Sequence, residues 1–121
     1  AHNGPSIIIA YSHCIAHGMK EMRDGLEQQK LAVNSGHWIL FRRDPALAAQ
    51  GKNPLQLDSK AATIALKDYI YNETRYKMLV KSDPETAARL LEQAQAEIGK
   101  KWAQYAKLAD VAPAAPPAPK A

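Results

Sequence analysis

The sequence is poor in cysteine, in large aromatics and in long apolar runs, and each shortage excludes something. Cys14 is the single cysteine among 121 residues. No intrachain disulfide framework can form, and without a Cys-x-x-Cys unit no zinc or ferredoxin-like site is expected within the chain alone. One Phe, two Trp and five Tyr leave few large anchors for a core. Such a supply suits a helical unit that packs against something larger. The longest apolar stretch starts at Ile7-Ile8-Ile9-Ala10, far short of the ~20 residues that cross a bilayer, so no membrane partner is expected. The first residues lack a charged segment followed by a long apolar one, so no secretory leader is expected. With a lone cysteine, this fits a reducing, cytoplasmic location. Lysine and arginine form no block: sixteen basic residues are interleaved with twelve acidic ones, for a formal charge of +4. That pattern reads as a solvated helical surface and not as a nucleic-acid face.

What is present is organised around residues 5–18, Pro-Ser-Ile-Ile-Ile-Ala-Tyr-Ser-His-Cys-Ile-Ala-His-Gly. Residues 6–11 read as a strand, because three β-branched isoleucines in a row are apolar on both faces, as in a buried parallel strand. Residues 38–41 are the other plausible strand. Two short strands make no stable sheet, so the missing neighbours are expected upstream or in a partner. The chain starts without Met and enters the apolar run almost at once, which reads as a piece of a longer polypeptide. The rest is helical. A short helix is expected over residues 24–34, with Leu26, Ala32 and Val33 as its apolar members and Asn34-Ser35-Gly36 as its stop. A helical turn fits residues 46–50, between turn signals at Asp44-Pro45 and Gly51-Lys52-Asn53-Pro54. Leu55 and Leu57 read as an anchored surface segment. Lys52 and Asn53 lie where a ligand contact is conceivable, although a turn role is the commoner one. Longer helices are expected over residues 66–81 and 84–109, the second capped by Ser82 or Asp83 with Pro84 at its first position. On that second helix Leu91, Ala94, Ile98, Trp102, Tyr105 and Leu108 track one face, and Glu97 pairs with Lys101. Residues 111–121 hold four prolines and five alanines and are expected to be a disordered, polyproline-like tail. The domain division is therefore residues 1–110 and the tail, 111–121.

Ser12, His13, Cys14 and His17 form a polar corner at the carboxyl end of the expected strand, where ligand-binding loops of open α/β sheets sit. Three readings of Cys14 stay open. It is a small buried hydrophobe, a nucleophile with His13 or His17 as base, or a metal or cluster ligand whose partners come from elsewhere. His13 and His17 also have a plain role in shaping the loop, and Tyr11 and Ser12 in satisfying its backbone.

Four blocks resemble the pyruvate:ferredoxin (flavodoxin) oxidoreductase family. They are Gly4-Pro5-Ser6-Ile7-Ile8-Ile9-Ala10-Tyr11-Ser12-His13-Cys14-Ile15-Ala16-His17-Gly18, Gln28-Gln29-Lys30-Leu31-Ala32-Val33-Asn34-Ser35-Gly36-His37-Trp38, Gly51-Lys52-Asn53-Pro54-Leu55-Gln56-Leu57-Asp58-Ser59 and Tyr71-Asn72-Glu73-Thr74-Arg75-Tyr76. They run in order over about residues 4–108. The resemblance implies the C-terminal segment of a large enzyme. The fold class it implies is an α/β fragment, with one or two strands completing a larger thiamine-diphosphate-binding domain, then mostly helix and the tail. It implies oxidative decarboxylation of pyruvate to acetyl-CoA and CO2 on thiamine diphosphate anchored by Mg2+, with coenzyme A as acceptor. Electrons pass through [4Fe-4S] clusters to ferredoxin or flavodoxin. By the same resemblance Cys14 is one thiolate of the cluster nearest the thiamine, the other three coming from the rest of the same polypeptide, and the enzyme is a homodimer. The chain has no Gly-Asp-Gly segment for metal and diphosphate, so no thiamine, pyruvate or coenzyme A residue is assigned and the segment alone is expected to be inactive. The alternative is a non-enzymatic helical protein-interaction domain.

Overall fold

The computed structural model describes residues 4–19 and 21–110; the tail expected over residues 111–121 lies outside the described residues. Helix α1 spans Gly25–Asn34, directly after a 3-10 turn over Met22–Asp24. Its inward face is Gln28, Ala32 and Ser35, which are buried and follow the spacing of one helix face. Leu26, expected among the apolar members, is 73% exposed. The stop is as expected: Gly36 has φ +75, the Ser35 amide donates to the Leu31 carbonyl at 2.9 Å and that of Gly36 to Val33 at 3.0 Å. Downstream, the Trp38 amide folds back onto the Ala32 carbonyl at 2.9 Å.

Strand β1, Phe41–Arg43, pairs antiparallel with strand β2, Leu55–Leu57, in the register Phe41–Leu57, Arg42–Gln56 and Arg43–Leu55. The link between them holds helix α2, Pro45–Ala49, capped by Asp44, whose carboxylate accepts the Ala46 amide at 2.9 Å. The strand expected over 38–41 thus starts only at its last residue, since Trp38 is committed to the end of α1. The segment around Leu55 and Leu57 is a strand because it lies across from β1. Residues 6–11 lie in no strand. A strand needs a paired neighbour, and among the described residues the two strands pair with each other. Ile7, Ile8 and Ile9 are 89%, 91% and 74% exposed.

The helix expected over 66–81 is two: α3, Leu66–Ile70, and α4, Thr74–Ser82. Glu73 between them is extended, at φ −95 and ψ 132, and forms an antiparallel bridge with Met19. That extended backbone divides the run into two helices and leaves Glu73 as the N-cap of α4. Helix α5, Pro84–Asp110, is about 40 Å long at 1.5 Å per residue. Asp83 caps it by accepting the Thr86 amide at 3.0 Å, which also holds the Asp83 carboxyl below its ordinary range. Its inward face runs through Ala87, Leu91, Gln95, Ile98, Trp102 and Tyr105, buried or half-buried. Ala94 and Leu108, expected on that face, are exposed. Glu97 pairs with Lys100 at 2.6 Å instead of Lys101, which donates to the His37 carbonyl at 3.3 Å.

The core is Ala32, Leu66, Tyr69, Ile70 and Ile98, with Tyr11, Leu31, Trp38, Tyr71 and Leu91 packed around it. Polar side chains tie the elements together. Gln95 of α5 accepts the Leu66 amide at 2.8 Å, supplying the cap that Ala65 cannot. Asn53 accepts the Leu55 amide at 2.9 Å and donates to the carbonyls of Leu108 and Ala109, closing the C-terminal end of α5. Lys52 reaches only Gln50, at 3.3 Å on the surface.

Gly36 combines a left-handed backbone with close packing: a Cβ there would lie 2.9 Å from Ile98 Cγ2. Gly36→Ala is expected to destabilise the chain by at least about 1–2 kcal/mol, read as a lower urea midpoint; an unchanged midpoint contradicts this account of the turn.

Candidate functional site

The polar corner is a loop held at both ends with its thiol outward. Cys14 is exposed and extended, at φ −110 and ψ 117, and precedes a 3-10 turn over Ile15–His17. On the upstream side, Tyr11 is pinned to the core. Its hydroxyl meets the Tyr69 hydroxyl at 2.5 Å, and its ring lies 5.5 Å from Trp38 and 6.4 Å from His37. His37 in turn sits 5.0 Å from the Tyr69 ring. Burial first, and then the bond to Tyr11, push the Tyr69 phenol well above its ordinary pKa. His13 is drawn to α1: Gln29 Nε2 donates to its Nδ1 at 3.2 Å, while its Cε1 and Nε2 lie where a Cβ of Gly25 would sit, 2.5 Å from that position.

On the downstream side the loop closes at Gly18, with φ +71. Its amide returns to the Ile15 carbonyl at 3.1 Å and its own carbonyl accepts the Thr74 amide at 2.7 Å. Thr74 opens α4, so this bond satisfies one of the amides a helix start leaves free. The next residue, Met19, bridges to Glu73. Behind the bridge Gln28, 2% exposed, donates to the Tyr69 carbonyl and to Glu73 Oε1, each at 3.1 Å. Both amide hydrogens of Gln28 thus meet buried acceptors.

This arrangement narrows the readings. Cys14 is no buried hydrophobe. The His13 ring nitrogens face α1, and among the described residues no hydrogen bond joins His13 to the thiol, so the structure does not bring Cys14 and His13 together as a dyad. The backbone of His17 ends the 3-10 turn, while its side chain lies outside what is described. Ser12 is exposed and, among the described residues, bonds to the neighbouring His13 carbonyl at 3.3 Å. Among the described residues no cluster of three or more His, Cys, Asp or Glu could hold a metal ion, so Cys14 is here a single donor. Elsewhere, a groove of about 1080 Å3 lies between Ile7–Ile9 and a wall that includes Trp38, Phe41, Leu47 and Tyr105; Cys14 does not line it. No helix among the described residues is long and apolar enough to cross a membrane. Sequence reasoning missed Gln28, Gln29, Tyr69 and Glu73 as the frame of the loop, although all but Tyr69 stand in the quoted blocks.

No family model matches the chain. Known proteins do. It is 57% identical over 109 residues to the pyruvate-flavodoxin oxidoreductase of Nostoc sp., 90% of this chain and 9% of that protein. The chain belongs to the pyruvate-flavodoxin oxidoreductase family. It is 44% identical over 108 residues to the pyruvate:ferredoxin oxidoreductase of Moorella thermoacetica, 89% of this chain and 9% of that protein. It is also 37% identical over 109 residues to a mitochondrial NADP(+) pyruvate dehydrogenase of Euglena gracilis, 6% of that protein. The chain therefore corresponds to a segment of the oxidoreductase, spanning about 9% of the length of the Nostoc and Moorella proteins. Nothing among these relatives favours a non-enzymatic interaction domain.

Two outcomes follow for the frame of this oxidoreductase segment. Gln28→Leu strips two buried acceptors of a donor and is expected to cost about 1–3 kcal/mol in urea unfolding; a neutral result contradicts the role of the junction. Burial, and secondarily Lys101, lower the pKa of His37 from its ordinary 6.5, against an opposing pull from Glu73. The unfolded chain therefore binds the proton first, so the stability His37 contributes is full above pH 6.5 and is lost as pH falls through its folded value. The urea midpoint is expected to drop between about pH 7 and about pH 5, and to drop less in His37→Phe; equal slopes contradict the assignment.

Proposed function

We propose that the chain is the C-terminal segment of a pyruvate:ferredoxin or flavodoxin oxidoreductase and that Cys14 gives one thiolate to a [4Fe-4S] cluster. The observation that carries this reading is the lone cysteine held outward on a loop braced at both ends, by Tyr11 and His13 before it and Gly18 after it, in a chain 57% identical to a pyruvate-flavodoxin oxidoreductase. A cluster ligand must be a thiolate, reachable from outside its own segment and rigidly aimed, and Cys14 has these properties. The donor set fits one corner of a cluster and no more, so the other thiolates belong to the rest of the polypeptide. When bound, the cluster supplies one-electron transfer. The chain's own work is to present the sulfur in a fixed direction and to join the domain that carries Cys14 to the one that carries the remaining ligands.

In the same reading residues 1–110 are part of the thiamine-diphosphate-binding domain. Ile7–Ile9, exposed in the segment taken alone, add a strand to that domain's sheet. Burying them there contributes roughly 1.5–3 kcal/mol per side chain. Thiamine diphosphate and Mg2+ do not fit this chain: it lacks a Gly-Asp-Gly segment and, among the described residues, any acidic cluster able to hold a metal. No step through them is assigned to it. Pyruvate, coenzyme A, the ferredoxin or flavodoxin acceptor and the homodimer belong with the whole polypeptide in its cytoplasmic setting.

Cys14→Ser in the full-length protein tests this. The expected outcome is loss or alteration of one cluster in iron content and EPR, with collapse of pyruvate-dependent electron transfer. Wild-type iron content together with a wild-type rate removes Cys14 from the role.

A further inference from the structure

We infer that His13 is a positioning residue whose ring, seated in the gap that Gly25 leaves at the start of α1, fixes the direction in which Cys14 is presented. The inference rests on the assignment of Cys14 to a cluster. Two independent features carry it. The first is a bond between side chains 16 residues apart, Gln29 Nε2 to His13 Nδ1 at 3.2 Å. The second is steric. The ideal Cβ position of Gly25 lies 2.5 Å from two atoms of the His13 ring, a separation at which no methyl group fits. Gly25 has φ −58 and ψ −43, ordinary helical values. Its backbone makes no demand for glycine there, and alanine would favour the helix by about 1 kcal/mol. What the residue provides is room for the imidazole.

The consequence for Cys14 is geometric. An exposed residue on a loop has soft backbone dihedrals unless its neighbours are held. Downstream of the cysteine the 3-10 turn and the Gly18 amide on the Ile15 carbonyl fix the chain, but upstream Tyr11 holds it only three positions away, which leaves the residues just before the thiol to be fixed by something else. His13 is the adjacent residue, and clamping its ring onto a helix removes that freedom. Among the described residues His13 makes no hydrogen bond to the thiol; it acts through the chain direction at Cys14.

The test uses the full-length holoenzyme and a double-mutant cycle. His13→Ala and Gly25→Ala are each expected to keep the iron content while broadening and shifting the EPR signal of the Cys14-linked cluster, leaving the other clusters unaltered. Pyruvate-dependent electron transfer is expected to fall about tenfold in each. The double variant is expected to match His13→Ala, since Gly25→Ala has nothing left to displace. His13→Asn, which keeps an acceptor near the Nδ1 position, is expected to recover part of the spectrum, and Gln29→Ala, a milder change within the same helix, to reproduce part of the shift. Wild-type spectra in His13→Ala or in both Gly25→Ala and Gln29→Ala, or additive effects in the double variant, overturn the inference. Cys14→Ser with unchanged iron content, EPR and rate sinks the cluster assignment itself, a different failure from normal spectra in the His13 series when Cys14→Ser does lose or alter a cluster.

Discussion

The rest of the chain depends on one buried polar junction. Gln28 reaches from the inward face of α1 to the Tyr69 carbonyl at the end of α3 and to the Glu73 carboxylate before α4. Leaving such groups without partners in a low-dielectric interior costs far more than an average hydrogen bond contributes. The geometry around them is therefore tightly specified. Glu73 also carries the bridge to Met19, and the Thr74 amide, next in sequence, closes onto Gly18. A single residue thus breaks a helix, aligns two helices with α1 and ties down the far end of the cysteine loop.

The aromatic face of the same junction ties down the near end. Tyr69 sits in the core through its ring and meets Tyr11 through its hydroxyl, while Trp38 and His37 flank the pair. Few large side chains are available, and most of those in the first half of the chain are spent here. The result is a loop with a rigid frame and an exposed sulfur, beside an isoleucine run that the segment itself leaves uncovered.

Much of the secondary structure was legible. The stop at Gly36, the cap at Asp83 and the extents of α1 and α5 rest on contacts within a few residues, and local sequence carries those. The inward face of α1 was not, because its buried positions are Gln28 and Ser35, which no apolar pattern marks. The break at Glu73 was not, because the pattern through Leu66, Tyr69, Ile70, Tyr76 and Leu79 is a good helix until a bridge to Met19 competes with it. The isoleucine run has real strand propensity, but among the described residues no second strand lies beside it, and a strand forms only by pairing. Asn53, a turn residue by its local sequence, also holds the Ala109 carbonyl, 56 positions later, near the end of α5.

The amino-acid sequence by itself determined which family the chain belongs to, since four ordered blocks suffice for that, and it singled out Cys14 as the lone cysteine. The tertiary structure alone decided how the cysteine is held: that His13 turns to α1 and not to the thiol, that Gly25 is small to seat a ring, and that Gln28 and Glu73 meet across 45 positions. Local rules extend over a turn or two of helix. Partners separated by many residues become neighbours only when the chain folds, and the frame of this loop is built almost wholly from such pairs.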